Sequence, residues 1–504
     1  MKILLIRPPY ARLRSSGAKP CFPLGLGYIA SVLKQHGYET SLYHADNPRS
    51  KEEQIFSDPE AGFKTRVDSY RRYLDSLKDN DHFVWKEIKE TFEIQNPDIV
   101  GVSLLSAEVG SALKVSQICK EVNKKCHIVW GGVHPTFLAE DCLKYGEVDF
   151  VIRGEGEYAM TELCQALSTF DKNLFDIRGL SYRRNGTVVH NDDRDLIEDL
   201  DEIPFPAWDT LLYPETFDYK SLISIIISRG CPFRCSFCAS RSFWRRKVRF
   251  RSPENMIKEV KLLKETYGIN YFMIWDDSFT INKDIVKKYC NALIESKLRI
   301  AWKASTRADL IDEPLLKLMK KAGCRKLEVG VESGSDRIKK MICKDVSNEQ
   351  IINAFEIIKK IGIGSGAFFM AGFPEETLED LRLTFELMHE LKADELFFNI
   401  FDPMPGTPEY EKCIKLGLLP KDADWNKFLF WPCAHYSVNI EKEEFTKYVH
   451  IIAKWLYEND NRFVNRFKRN RYLAMTLLMN DPILLIYKIF NNLQRVLKRR
   501  YRIS

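Results

Sequence analysis

Six times between Leu222 and Met404 the chain alternates an apolar, mostly β-branched or aromatic run with a helical pattern, and nothing else in it limits the fold so tightly. The runs are LISIIIS, YFMIWDDSF, IAWKASTRADL, KLEVGVESG, GSGAFFMAGFP and ELFFNIFDPM, and the helices between them include SPENMIKEVKLLKETYG and TLEDLRLTFELMHELK. Runs this apolar are buried on both faces, which in an alternating chain means a parallel sheet covered by helices. Six such units predict a partial, open (β/α)6 barrel over residues 215–415, with function at the C-terminal ends of its strands. Polar residues gather at those ends: Cys231 after the first strand, Asp276 and Asp277 at the second, Arg307 at the third and Glu332 at the fourth.

Upstream, KILLIRPP, ETSLYHAD, DIVGVSLLS, HIVWGG and VDFVIRGEGE read as strands with helices such as GLGYIASVLKQHG and VGSALKVSQICKEVN between them. This is the pattern of an α/β, doubly wound, Rossmann-like domain over residues 1–200. A charged helical insertion interrupts it at about 47–96, and LSYRRNGTVVHND closes it as a hairpin turning at Asn185-Gly186. At 504 residues the chain is too long for one ordinary core.

Residues 416–504 read as helical, aromatic and finally basic. The segment 461–504 carries eleven Lys or Arg against Asp481, a net +10 that leaves −4 on the rest of a chain whose total is +6. Its stretches RFVNRFKRNR and QRVLKRRYR admit a solvated helix end, or an amphipathic helix on anionic lipid. Nucleic acid is disfavoured, since no RNA-binding motif accompanies them. LAMTLLMNDPILLIYKIF is broken by Asn480-Asp481-Pro482 and falls short of the roughly 20 apolar residues of a spanning helix. MKILLIRPPY lacks a signal-peptide h-region. Thirteen cysteines without an export signal then read as reduced thiols, and the expected location is cytoplasmic, with peripheral contact at the inner membrane face open to the basic tail.

Behind the first barrel run stands SRGCPFRCSFCAS, with Cys231, Cys235 and Cys238 spaced C-x3-C-x2-C. Thiolates at this density hold zinc or an iron–sulfur cluster. Structural zinc sites are closed by four ligands, and no fourth ligand stands nearby. Three thiolates can hold three irons of a [4Fe–4S] cubane and leave the fourth open. The chain here resembles the radical S-adenosylmethionine (SAM) superfamily, in which SAM chelates that open iron. The resemblance implies Cys231, Cys235 and Cys238 as cluster ligands and places Phe237 near the adenine. It offers Asp277 for the SAM amino group, Arg307 for its carboxylate and Glu332 for the ribose hydroxyls or amino group. Gly366, with Gly372, falls in a strand resembling the one that faces the adenine. Read alone, an Asp, Arg or Glu at a strand end is more often a cap or a surface ion pair.

RPP, VSLLS, WGGVHPT and VIRGEGE carry a second resemblance, to the cobalamin-binding domain that precedes the barrel in one radical SAM subfamily. It implies Ser103, Ser106, Gly131, Gly132, His134, Gly154 and Glu155 as cobalamin-binding positions. The Asp-x-His-x-x-Gly loop by which mutases give cobalt a histidine is missing, since the loop after the first strand reads PPYARLRSSG. Cobalamin would therefore bind base-off, without a histidine ligand, and His134 reads better as a hydrogen-bonded structural residue.

The resemblance implies reductive cleavage of SAM to a 5′-deoxyadenosyl radical and methylation of an unactivated carbon of a small-molecule or lipid substrate. It also implies an external one-electron donor, a flavodoxin or ferredoxin. No side chain is assigned as a general acid or base, because hydrogen-atom abstraction needs none. Two alternatives stay open: radical oxidation, cyclisation or carbon–carbon bond formation without methyl transfer, and a non-catalytic cobalamin sensor or carrier.

Overall fold

A computed structural model of the protein describes residues 1–14, 20–49, 63–169, 173–219, 223–425 and 435–461. Seven strands form the first sheet: β1 (Lys2–Arg7), β2 (Glu39–His44), β3 (Ile99–Ser103), β4 (His127–Gly131), β5 (Phe150–Ile152), β6 (Leu180–Arg184) and β7 (Thr187–His190). Their order is β2-β1-β3-β4-β5-β6-β7. The first five run parallel, and β6 and β7 add the antiparallel hairpin, turning at Asn185 (φ 50°) and Gly186 (φ 80°). Strand order reverses between β1 and β3, which opens the crevice where such sheets bind ligands. Part of the insertion between β2 and β3 is described, as two helices, Phe63–Lys78 and Phe83–Gln95.

The second sheet follows a short detour. After β8 (Ser224–Ile225) the chain leaves the barrel and forms an antiparallel pair, β9 (Ser228–Arg229) with β10 (Arg249–Phe250), whose connection holds all three cysteines. Then come β11 (Tyr271–Ile274), β12 (Ala301–Arg307), β13 (Cys324–Glu332), β14 (Gly364–Ala371) and β15 (Glu395–Ile400). All are parallel, in the order β15-β14-β13-β12-β11-β8, and among the described residues β8 and β15 are its two edges. The barrel is open.

The run expected as one strand, LISIIIS, contributes only two residues to the barrel sheet. Asp276 gives the reason. Its Oδ1 accepts the Ile227 amide at 2.8 Å and its Oδ2 the Ser228 hydroxyl at 2.7 Å, so a carboxylate replaces the next rung of the ladder and turns the chain outward. Burial pushes that carboxyl up to about 6.

Local signals start and stop the barrel helices. Ser252 accepts the Asn255 amide ahead of the helix Pro253–Tyr267, which ends on Gly268 in the left-handed region. Thr377 forms a capping box with Asp380 at the helix Leu378–Glu390. The helix Lys442–Asn461 buries Phe445, Val449 and Ile452 against the barrel. The basic residues 462–504 lie outside the described residues.

One apolar core runs from β1, β4 and β5 into the barrel helices, and a second from the other face of the first sheet to Phe373, Phe401, Tyr410 and Trp425 at the barrel mouth. Between the sheets lies a buried ionic seam. Arg229 on β9 reaches Glu155 at 2.5 Å and Glu157 at 2.7 Å, both just beyond β5, and Arg249 on β10 reaches Glu155 at 2.8 Å. The strand pair that brackets the cysteines is thereby tied to the loop after β5.

Candidate functional site

The cysteine loop starts at a glycine no other residue can replace easily. Gly230 has φ 105°, and a Cβ there would stand 1.9 Å from the Lys247 carbonyl oxygen. The close pass of β9 over the end of the loop depends on that missing carbon. Beyond it the Cys238 amide donates to the Cys235 carbonyl at 3.3 Å, and the Ser236 amide to the Ile342 carbonyl at 2.9 Å. The Ser236 hydroxyl donates to buried Glu409 at 2.7 Å. These bonds fix the loop against two separate stretches of the barrel mouth.

Cys235 is buried, while Cys231 and Cys238 are partly exposed. Burial raises all three thiols, that of Cys238 up to about 12, and Cys231 and Cys238 each feel the charge of Cys235. Among the described residues no three His, Cys, Asp or Glu side chains gather closely enough for a single metal ion. A cubane spaces its ligand sulfurs more widely than one ion with bonds of about 2.3 Å.

Two cations stand beside Cys235. The Arg307 Nη1 lies 3.8 Å from its Sγ, and the Lys344 charge lowers the same thiol against the rise from burial. Arg307 is otherwise committed within the protein: to Asp309 through Nε at 3.0 Å and Nη2 at 3.1 Å, to the Lys344 carbonyl at 2.7 Å, and over the Phe233 ring at 3.8 Å. Lys344 Nζ also donates to Glu332 Oε1 at 2.8 Å, with both side chains buried. That pair fills the space above Gly330, where a Cβ would meet Glu332 Oε1 at 2.5 Å and Lys344 Nζ at 2.8 Å. Glu332 itself sits at φ 68°, after a bulge in β13.

Asp277 is exposed at the mouth, close enough for its charge to raise Cys231 and Cys238. Phe237 points into an aromatic ladder, 5.9 Å from Phe373, which lies 5.0 Å from Phe401. The cysteines, Phe237, Asp277, Arg307 and Glu332 therefore share one end of the barrel. Gly366 does not join them. It pairs with Glu328, four residues and about 13 Å below Glu332 along β13, and a Cβ on it would meet Phe397, Glu328 and Lys326. Its small size makes room for side chains at the barrel base, so the expected approach to SAM finds no support there. Gly372, at the top of the same strand with φ 93°, packs against Phe445.

At the first sheet, Ser103, Ser106, Gly131, Gly132, His134 and Gly154 all lie at or beyond the C-terminal ends of β3, β4 and β5. Gly132 (φ 100°) crosses the Leu104 backbone so closely that a Cβ would meet its carbonyl oxygen at 2.9 Å, whereas Gly154 (φ 76°) faces open space. His134 is 1% exposed, bonds Ser106 Oγ through Nδ1 at 2.9 Å and meets Trp425 edge-on. Burial lowers it to about 3, so it is neutral. It is the hydrogen-bonded residue its sequence suggested. Glu155 departs from expectation, because Arg229, Arg249 and the Ile197 amide at 2.8 Å occupy both carboxylate oxygens. It is bound into the seam and does not face the crevice.

Three residues went unnoticed in the sequence. Lys344 had no signal, standing singly after a short helix. Glu409 looked like an ordinary first-turn acid. Glu108 spans the β1–β3 crevice, its Oε1 2.5 Å from Arg7 and its Oε2 accepting the Leu105 amide at 2.8 Å; burial pushes it up to about 7. An acid one turn beyond VSLLS, facing the arginine of RPP, was the available hint.

Comparison with known proteins sets this geometry in context. The radical SAM superfamily model matches residues 225–388, and the B12-binding domain model matches residues 13–164. An uncharacterized methyltransferase of Pyrococcus horikoshii is 32% identical over 431 residues, 85% of this chain and 86% of that one. An anaerobic magnesium-protoporphyrin IX monomethyl ester cyclase of Rubrivivax gelatinosus is 29% identical over 442 residues, 85% and 72% of the two chains. Among solved structures, the cobalamin-dependent SAM radical enzyme OxsB, with aqua-cobalamin and SAM bound, superposes with a TM-score of 0.66 at 17% identity, over 99% of this chain and 81% of its own. The radical SAM methyltransferase TsrM from Kitasatospora setae, with cobalamin and a [4Fe–4S] cluster bound, gives 0.63 at 18%, over 82% and 75%. At such identities the likeness is one of fold.

Proposed function

The chain belongs to the radical SAM superfamily, with a B12-binding domain ahead of the barrel, and on that premise we propose that it is a cobalamin-dependent methyltransferase acting on an unactivated carbon of a small-molecule or lipid substrate. The observation that carries the reading is the placement of the cysteine loop. It stands at the barrel mouth, with Cys235 beside Arg307 and Lys344, and its flanking strands are tied by the seam to the loop after β5.

Cys231, Cys235 and Cys238 are the residues that would hold a [4Fe–4S] cluster, and the donor set fits: three thiols on one anchored loop, with two cations to offset the charge they acquire on deprotonation. Asp277 and Glu332 are the carboxylates that would meet SAM; Glu332 would do so by exchanging its bond to Lys344. Arg307, already bonded to Asp309 and beside Cys235 Sγ, fits better as a support of the cysteine loop than as a ligand of the SAM carboxylate. Phe237 offers an apolar surface at the same end. When bound, the cluster and SAM would supply the radical that removes a hydrogen atom from the substrate, and cobalamin would supply the methyl group.

The first sheet offers the crevice between β1 and β3, with Ser103 and Ser106 at and beyond the end of β3 and Gly131, Gly132 and Gly154 at and beyond the same ends of the neighbouring β4 and β5. The burial of His134 and its bond to Ser106 support base-off binding without a histidine ligand. What the chain's own residues do is hold and exclude. The seam keeps the two ligand-bearing loops in register, and the apolar ladder from Phe237 through Phe401 keeps water from the mouth.

The test is anaerobic reconstitution with iron, sulfide and cobalamin, followed by SAM and a reductant. Formation of 5′-deoxyadenosine together with transfer of a labelled methyl group from SAM to product supports the reading. Deoxyadenosine without methyl transfer selects the oxidative or cyclising alternative that the protoporphyrin cyclase relative brings to mind. No cleavage at all, with the cluster intact, contradicts both.

A further inference from the structure

The outer side of the cysteine loop carries charge that the proposed reaction does not use. From Arg234 to Lys247 the chain reads RCSFCASRSFWRRK, five cations and no acid. Arg234, between the first and second cysteines, is exposed, as are Arg245, Arg246 and Lys247; Arg241 is partly so. Two of the five are paired, Arg245 with Asp193 at 3.3 Å and Lys247 with Glu198. The other three meet no acid among the described residues. The Arg241 Nη1 donates to the Arg234 carbonyl at 3.0 Å and the Arg246 Nε to the Pro232 carbonyl at 3.2 Å. These bonds lay both guanidinium groups against the backbone of the loop itself.

The backbone beneath them is strained for the same arrangement. Arg245 and Arg246 stand consecutively at φ 50° and 60°, a left-handed pair that side chains other than glycine and asparagine rarely adopt. Nothing in packing demands arginine there, since both side chains are exposed. The turn folds Arg246 back over Pro232, one residue from Cys231.

We propose that this face is the docking surface for an acidic one-electron carrier protein of the flavodoxin type, an inference that rests on the cluster assignment above. Electron transfer falls steeply with distance, so a donor must dock where the cysteine loop meets solvent, and that place is basic. In the transfer, the anionic flavin hydroquinone of the carrier loses one electron and becomes the neutral semiquinone. The cluster gains it and passes from the 2+ to the 1+ state; no atom moves. A contact of this kind is small, below about 1,200 Å², with charge supplying encounter rate and orientation more than affinity. Unpaired arginines around the loop suit that role, and added salt screens it.

The experiment uses the full chain, reconstituted, with a recombinant bacterial flavodoxin and the double variant Arg234→Glu/Arg246→Glu. Calorimetric titration with oxidised flavodoxin reads docking without turnover. Binding is expected to weaken at least tenfold in the variant, to weaken in wild type as salt rises, and to fall by an intermediate amount in Arg234→Gln/Arg246→Gln. SAM cleavage driven by reduced flavodoxin is expected to drop at least tenfold, while cleavage driven by reduced methyl viologen, a cation, stays within twofold at equal iron content. Unchanged flavodoxin binding overturns the inference. So does an equal loss with both reductants, which would make these arginines part of the cluster site. If wild type cleaves no SAM with viologen the functional reading fails, and the titration still decides whether this face binds the carrier.

Discussion

Gly230 and His134 show how far one residue decides the site. At Gly230 any Cβ collides with the Lys247 carbonyl, and φ 105° adds strain of about 1–3 kcal/mol. Gly230→Ala should yield a folded chain whose cysteine loop no longer closes, measured as lost iron after reconstitution with the circular-dichroism spectrum retained. His134 makes a pH prediction. Its folded value, about 3, lies below the ordinary 6.5, so the unfolded chain takes up a proton that the native one refuses. The stability it contributes is present above pH 6.5 and lost as pH falls toward 3, at about 1.4 kcal/mol per unit. Urea unfolding between pH 6.5 and 5 should therefore show His134→Asn with a flatter slope than wild type, the gap reaching roughly 2 kcal/mol at pH 5.

The elements were largely legible in the sequence, and their ion pairs were not. Buried β-branched runs alternating with helical patterns gave the strands of both sheets, since residue chemistry alone distinguishes a run covered on two faces. LISIIIS misled because its composition says strand while Asp276, about fifty residues away, ends the ladder early. Glu155 and Arg229 are 74 residues apart, and only the packing of β5 against β9 brings them together. That seam makes its own prediction. Arg229→Met leaves buried Glu157 without its cation and should lower stability by about 3–5 kcal/mol, read from the urea midpoint. Adding Glu157→Gln should recover part of that loss, because a neutral amide is cheaper to bury than a lone carboxylate. Gly366 marks the other limit: its motif set the strand, but depth along the strand follows from register, which no local signal encodes.

Across the whole molecule, the two sheets face each other through the loops that hold the site residues, with the cysteine loop between them. Sequence placed the cysteines, Phe237, Asp277, Arg307 and Glu332 at one end because strand ends in a parallel barrel share a face. The pairing of Glu332 with Lys344 and of Arg307 with Asp309 is tertiary, and changes what those side chains are free to do. Among the described residues no helix is long and apolar enough to cross a membrane, and the tail that suggested lipid contact lies beyond them. The central claim is that three thiolates anchor a four-iron cluster with one iron left for SAM. Mössbauer spectra of the ⁵⁷Fe-reconstituted protein, recorded before and after SAM is added, test it most directly. The account predicts a [4Fe–4S] signal in which one iron of four shifts on SAM addition, and its loss in Cys235→Ala. Four irons indifferent to SAM, or a chain that takes up a single zinc instead of iron, would contradict it.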